Sequence, residues 1–144
     1  MAAERTARWV VAVAASVTLA GCVEEPRACT LMGADSEVSV VWDRAPFPAG
    51  ALYRLCADQI CQEGKGPAER EPRWTFRVPL PEADGEQRMT VRFQVTDPVD
   101  GSISYDRSAQ VTLRKSQPNG EHCDPTVWQA AVRADPKTGL VPVR

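Results

Sequence analysis

The chain has 144 residues, with 17 Lys and Arg against 19 Asp and Glu, so its formal net charge is −2. This weakly acidic balance argues against nucleic-acid binding, which depends on a basic surface. The length fits one ordinary domain with its own core, small enough for covalent cross-links to matter.

The first 21 residues have the layout of a secretory signal peptide. Arg5 and Arg8 precede an uncharged run, "WVVAVAASVTLA" at 9–20, and the small residue Gly21 follows it. A helix needs about 20 apolar residues to cross a bilayer, so this run is too short for a permanent span. We therefore expect residues 1–21 to be removed.

The end of this run, Leu19, Ala20, Gly21 and Cys22, resembles the lipobox of bacterial lipoproteins. The resemblance implies that the Cys22 thiol receives a diacylglyceryl group and that cleavage separates Gly21 from Cys22. The acylated Cys22 would then anchor the chain in the lipid bilayer, on the extracytoplasmic, outer face of the cell membrane. The alternative is an ordinary secretory signal, with Cys22 free to join a disulfide.

The rest of the chain divides into a lipidated cysteine with a short tether, residues 22–28, and a folded domain, residues 29–144. The six residues after Cys22 reach at most about 20 Å when extended, so we expect the domain close to the membrane. Removal of residues 1–21 takes away two arginines and one glutamate, which changes the net charge to about −3.

Alternation of apolar and polar residues dominates the domain. In residues 89–97, Val91, Phe93 and Val95 share one face and Arg92 lies on the other. Similar runs at 37–43, 73–80, 109–114 and 127–133 are separated by turns rich in Pro, Asp, Asn and Gly. We predict an all-β fold, an antiparallel β-sandwich of seven to eight short strands, immunoglobulin-like or prealbumin-like. The aromatic residues are expected in its core rather than on a ligand-binding platform: Trp42, Trp74, Phe76, Phe93 and Trp128.

Four cysteines remain after lipidation and can pair in three ways: Cys29, Cys56, Cys61 and Cys123. The segment "LCADQICQ" predicts a hairpin turning at Asp58 and Gln59, which places Cys56 and Cys61 opposite each other within disulfide reach. Cys29 and Cys123 are then left for each other. A metal site is the alternative, but the cysteines lack the close paired spacing of zinc ligands.

Three stretches carry a family resemblance: "ACTLMG" at 28–33, the cysteine hairpin, and "PNGEHCDPTVWQAAVRAD" at 118–135. Together they resemble a group of small uncharacterised lipoproteins of actinobacteria and other high-GC bacteria. Members of that group are expected to carry two further cysteines where this chain has Ala34 and Val127. Their joint absence implies that the two segments are neighbours, which supports the Cys29–Cys123 pair. The resemblance implies architecture and location but no activity.

No catalytic residue, metal site or cofactor is predicted. His122 is the single histidine and is expected in an exposed loop. Asp97, Asp100 and Asp106 flank a turn and could bind calcium, but EF-hand spacing is absent and Asp is common in β-turns.

A row of arginines is the other charged feature. Arg73, Arg77 and Arg92 could line up on the polar faces of adjacent strands and meet an anionic wall polymer or lipid headgroups. A solvated face balanced by nearby carboxylates is the simpler interpretation.

Three functions are compatible with this sequence. The domain could be a non-catalytic binding or interaction module that contacts an envelope protein or wall polymer, and we favour this function. It could be an enzyme or accessory subunit with an unrecognised carboxylate site, or a purely structural envelope protein. An exposed apolar patch or strand edge would favour the first, and converging carboxylates in a cleft would favour the second.

Overall fold

The computed structural model describes residues 28–43, 45–66 and 72–143, and these residues form β-strands and no helix. The strands are β1 (Glu37–Asp43), β2 (Leu52–Ala57), β3 (Ile60–Lys65), β4 (Arg73–Pro79), β5 (Arg88–Thr96), β6 (Ile103–Thr112), β7 (Arg114–Ser116), β8 (Val127–Asp135) and β9 (Gly139–Val143).

The strands form two sheets that pack face to face. The first has the order β4-β1-β8-β7, with β9 also paired to β8, and the second has the order β3-β2-β5-β6. The predicted all-β sandwich is confirmed. Its described part holds nine strands rather than seven to eight, because β7 has only three residues and β9 contains Pro142, so neither shows a clear alternation.

One ladder departs from the expected antiparallel pairing. β1 and β8 run parallel, with Val38 opposite Ala130 and Val40 opposite Val132. Alternation along a strand indicates which side chains are buried but carries no information on the direction of the neighbouring strand. The other ladders among the described strands are antiparallel.

The core lies between the sheets and is rich in aromatic rings. Trp42 and Phe93 are fully buried, with ring centroids 5.1 Å apart, and Tyr53 packs on Trp42 at 4.6 Å. Three of the predicted core aromatics contact this core from its margin and are only partly buried: Trp74, Phe76 and Trp128. The core interpretation therefore holds, and the rings fill the interior rather than forming an exposed platform.

Two glycines let aromatic rings fill the space between the sheets. A Cβ atom on Gly64 would lie 2.8 Å from the ring of Phe76, and one on Gly66 would lie 2.6 Å from the ring of Tyr53. Any side chain at these positions would push a ring out of place.

The sandwich has two ends that differ in their connections. The segment 28–36 and the loops 80–87 and 117–126 lie at one end, where the Leu80 N–H donates to the Ser36 carbonyl (2.8 Å) and the Leu113 N–H to the Gln87 carbonyl (2.9 Å). We call this the disulfide end. The turns at 97–102 and 136–138 lie at the far end. A nine-residue strand such as β5 separates the two ends by about 30 Å.

Candidate functional site

The predicted lipidation and cleavage residues, Gly21 and Cys22, lie outside the described residues, which begin at Ala28. The signal peptide of residues 1–21 and most of the tether are outside them as well. Lipidation of Cys22 therefore stays a prediction from the sequence.

Both predicted cysteine pairs are brought together. Cys29 and Cys123 form a disulfide with their Cα atoms 5.8 Å apart, and Cys56 and Cys61 form one with Cα atoms 4.0 Å apart. In the hairpin, Cys56 is registered opposite Cys61, and Asp58 has a φ of 50° at the turn. The long-range bond fixes the start of the domain to the loop before β8.

A buried asparagine, which the sequence analysis missed, strengthens this attachment. The Oδ1 atom of Asn119 accepts hydrogen bonds from the Thr30 hydroxyl and the Met32 N–H, both at 2.8 Å. Its Nδ2 atom donates to the carbonyls of Met32 and Asp124. We call this group of contacts the Asn119 clamp. The local sequence, Pro-Asn-Gly, indicates only a turn, because Thr30 and Met32 lie almost 90 residues away in the chain.

The three aspartates around the β5–β6 turn do not converge. Asp97 accepts from the Val99 N–H and Asp100 from the Ser102 N–H, each at 2.8 Å, so both carboxylates stabilise the turn itself. The Ser102 hydroxyl and, after it, the Ser102 N–H hold the pKa of Asp100 below its ordinary value. Asp106 lies further along β6, on the outer face of the sheet. Among the described residues, no cluster of three His, Cys, Asp or Glu could hold a metal ion.

The three arginines do not form one row, because they lie on different sheets, and each is exposed and paired with a carboxylate. Arg73 and Arg77 extend from β4, where they pair with Asp43 (3.4 Å) and Glu37 (3.2 Å). Arg92 extends from β5 on the other sheet, so no shared cationic face forms.

Arg92 makes the shortest ion pair of the described residues. Its Nε and Nη2 atoms donate to Asp106 at 2.8 and 2.6 Å, and Gln94 Nε2 donates to the same carboxylate at 3.1 Å. The Arg92 hydrogen bond is the main reason that the pKa of Asp106 lies below its ordinary value. This carboxylate is therefore held ionised and hydrogen-bonded within the sheet surface.

Glu37 is a partly buried carboxylate on β1. It lines a groove of about 650 Å³ on the first sheet, between the ends of β7 and β9, together with Arg114, Lys115 and Gln129. Burial raises the pKa of Glu37, and the neighbouring Arg77 acts in the opposite direction. Among the described residues that line this groove, Glu37 is the only acid, so the groove offers no carboxylate pair.

His122 is exposed in the loop before Cys123, as expected from its position between turn residues, and its Nε2 atom lies 3.5 Å from Glu121. The neighbouring Cys123 sulfur is in a disulfide, so it is not available as a thiolate nucleophile beside the imidazole.

The far end carries exposed aliphatic side chains. Leu52 and Ile103 lie on either side of Thr96 in the β2-β5-β6 register, on the outer face of the second sheet. They line a groove of about 550 Å³, which we call the far-end groove (Leu52, Arg54, Lys65, Thr96 and Ile103). Val99, in the adjacent turn, is 91% exposed. The groove therefore combines two exposed aliphatic side chains with charged and polar ones.

Comparison of the chain with protein-family models, with curated proteins and with solved structures gives no match. In the described residues, no helix is long and apolar enough to cross a membrane. The two sheets and the two disulfides define the general class of the protein, which is a disulfide-linked β-sandwich domain.

Proposed function

We propose that this protein is a membrane-anchored envelope lipoprotein whose β-sandwich is a non-catalytic interaction module. The observation that carries the proposal is the sequence Leu19, Ala20, Gly21 and Cys22 at the end of the uncharged run. Two acyl chains on Cys22 would hold the protein stably at the outer face of the membrane, where one chain is marginal.

The architecture of the disulfide end supports this anchoring. Only six residues separate Cys22 from Cys29, and Cys29 is bonded to Cys123. A pull on the lipidated terminus is therefore transmitted directly to the loop before β8 and not to an unsupported strand. The bond also needs an oxidising compartment, in agreement with export.

The chemistry of the described residues supports a non-catalytic role. Their four cysteines are in disulfides, so none is available as a thiolate nucleophile. The carboxylates of Asp106 and Glu37 are paired with arginines, and no second acid faces Glu37 in its groove. A contact function needs none of these groups.

The far-end groove is the surface that we propose for the partner. Leu52 is 41% exposed and Ile103 58% exposed, and a charged pair, Arg54 and Glu63, lines the same groove at 3.5 Å. An aliphatic centre with charged residues beside it suits another envelope protein better than a wall polymer, which would favour hydroxyl-binding polar or aromatic surfaces.

Lipidation is tested by intact-mass spectrometry of the protein extracted from the membrane fraction of a bacterial host. We expect a chain that starts at a diacylated Cys22, and we expect Cys22→Ala to leave the precursor uncut or to release the protein from the membrane. An unmodified Cys22 in a mature chain, or a different first residue, would contradict the proposal.

The interaction role is tested by cross-linking and co-purification of the membrane-anchored protein. Leu52→Asp with Ile103→Asp should abolish recovery of a discrete partner. Val141→Asp is the matched control, because Val141 is 43% exposed but lies on β9 of the other sheet. Equal recovery with both variants would remove the far-end groove from the proposal.

A further inference from the structure

Two apolar side chains project from the disulfide end. Leu31 is 98% exposed and Met32 is 54% exposed. Burial of a leucine side chain is worth about 1.5–3 kcal/mol, so a contact that covers Leu31 would be favourable.

The backbone around Leu31 is fixed and holds the side chain outward. The Cys29–Cys123 disulfide ties the chain two residues before it. On either side of Leu31, the Asn119 clamp holds the Thr30 hydroxyl and the backbone N–H and carbonyl of Met32. A disulfide and several hydrogen bonds therefore hold the backbone that carries Leu31 and Met32.

The length of chain between this pair and the lipidation site decides what can cover it. Leu31 lies nine residues after Cys22, and the six residues between Cys22 and Cys29 span at most about 20 Å. If Cys22 is acylated, the disulfide end must remain within that distance of the bilayer. The far end, about 30 Å away along the sandwich, has no such restraint.

We propose that Leu31 and Met32 insert into the interfacial region of the phospholipid bilayer that holds the acylated Cys22. This inference rests on the proposed lipidation. The contact is apolar and not electrostatic, because the loop bonded to Cys29 through Cys123 carries the exposed acidic residues Glu121 and Asp124, which anionic headgroups would repel. The insertion turns the far end, with the far-end groove, away from the membrane.

The test uses the mature protein, produced from the full precursor in a bacterial host and transferred into vesicles of zwitterionic phospholipid. A photoreactive diazirine amino acid replaces Leu31 in one sample and Val99 in the control sample. Val99 is a fair control, because it is almost as exposed and lies in a turn at the opposite end. Replacement of either side chain should leave the fold intact, since neither contributes to the core.

After irradiation, we expect at least about tenfold more phospholipid adduct at position 31 than at position 99, since burial of a leucine-sized side chain favours the bilayer by that factor or more. Anionic lipid in the vesicles should not increase the yield. Equal adducts at the two positions on a protein with diacylated Cys22 overturn this inference alone, and so does a yield that depends on anionic lipid. An unmodified Cys22 in the same sample overturns the proposed anchoring and this inference together.

Discussion

Cys29 and Cys123 are 94 positions apart in the chain, yet their Cα atoms lie 5.8 Å apart at one end of the sandwich. Their bond closes almost the whole domain into one loop. The bond between Cys56 and Cys61 closes only a hairpin whose strands are already in register. The same chemical link therefore restrains the unfolded chain to very different degrees.

Removal of the long-range disulfide should cost much more stability than removal of the short one. In the chain-entropy model, the Cys29–Cys123 loop corresponds to about 4–5 kcal/mol and the Cys56–Cys61 loop to about 2 kcal/mol. We expect this order for Cys29→Ser with Cys123→Ser against Cys56→Ser with Cys61→Ser in chemical denaturation. Equal losses of unfolding free energy in the two double variants would show that contacts in the native state, and not the length of the closed loop, determine how much each disulfide stabilises the domain.

Asn119→Ala should destabilise the domain by about 2–3 kcal/mol. The substitution removes four hydrogen bonds and leaves the N–H and carbonyl of Met32, which are partly buried, without this partner. Urea unfolding measures the loss, and hydrogen exchange should show faster exchange of the Met32 amide. Gln117→Ala, which removes an exposed bond to Thr126, is the control and should change stability by less than about 0.5 kcal/mol.

Gly66→Ala should destabilise the domain by about 1–3 kcal/mol, because the new methyl group would overlap the ring of Tyr53. Tyr53 is buried and packs on Trp42 and Phe93, so displacement of its ring would disturb contacts in the core. Gly85→Ala is the matched control, since a Cβ atom there meets nothing within 4 Å. A thermal-unfolding comparison in which both variants behave alike would contradict this account of the contact between Gly66 and Tyr53.

Asp106→Asn should lower stability at neutral pH and have no such effect in acid. The pKa of Asp106 lies below its ordinary value of 3.8 because Arg92 donates to the ionised form. Its contribution is therefore complete above the ordinary pKa and is lost as the pH falls through the lower, folded-state pKa. For an exposed pair this amounts to about 0.5–1 kcal/mol.

Urea titrations of both proteins at pH 7 and near pH 2 check this dependence. Asp84→Asn, at an exposed position with no ion pair among the described residues, should behave like the parent at both pH values. If the difference in unfolding free energy between Asp106→Asn and the parent persists unchanged in acid, the asparagine destabilises the domain for a reason other than the lost charge.

Several features of the fold follow from the sequence by itself. The alternation in 89–97 correctly assigns Val91, Phe93 and Val95 to the core, since successive side chains of a strand point to opposite faces. The cysteine hairpin is equally local, because the two-residue turn alone sets the register of Cys56 and Cys61. Tyr53 could also have been assigned to the core from the sequence, since it alternates with polar residues in the same two-residue period as Leu55 and Ala57.

Only the tertiary structure decided which elements are neighbours. The parallel β1–β8 ladder and the bonds from Asn119 to Thr30 and Met32 join residues far apart in the chain. The placement of Arg92 on one sheet and of Arg73 and Arg77 on the other also depends on the tertiary structure. Periodicity indicates which face of a strand is buried, a local property of the backbone. Which strand lies beside it depends on how the two sheets pack as a whole, and no short stretch of sequence contains that information.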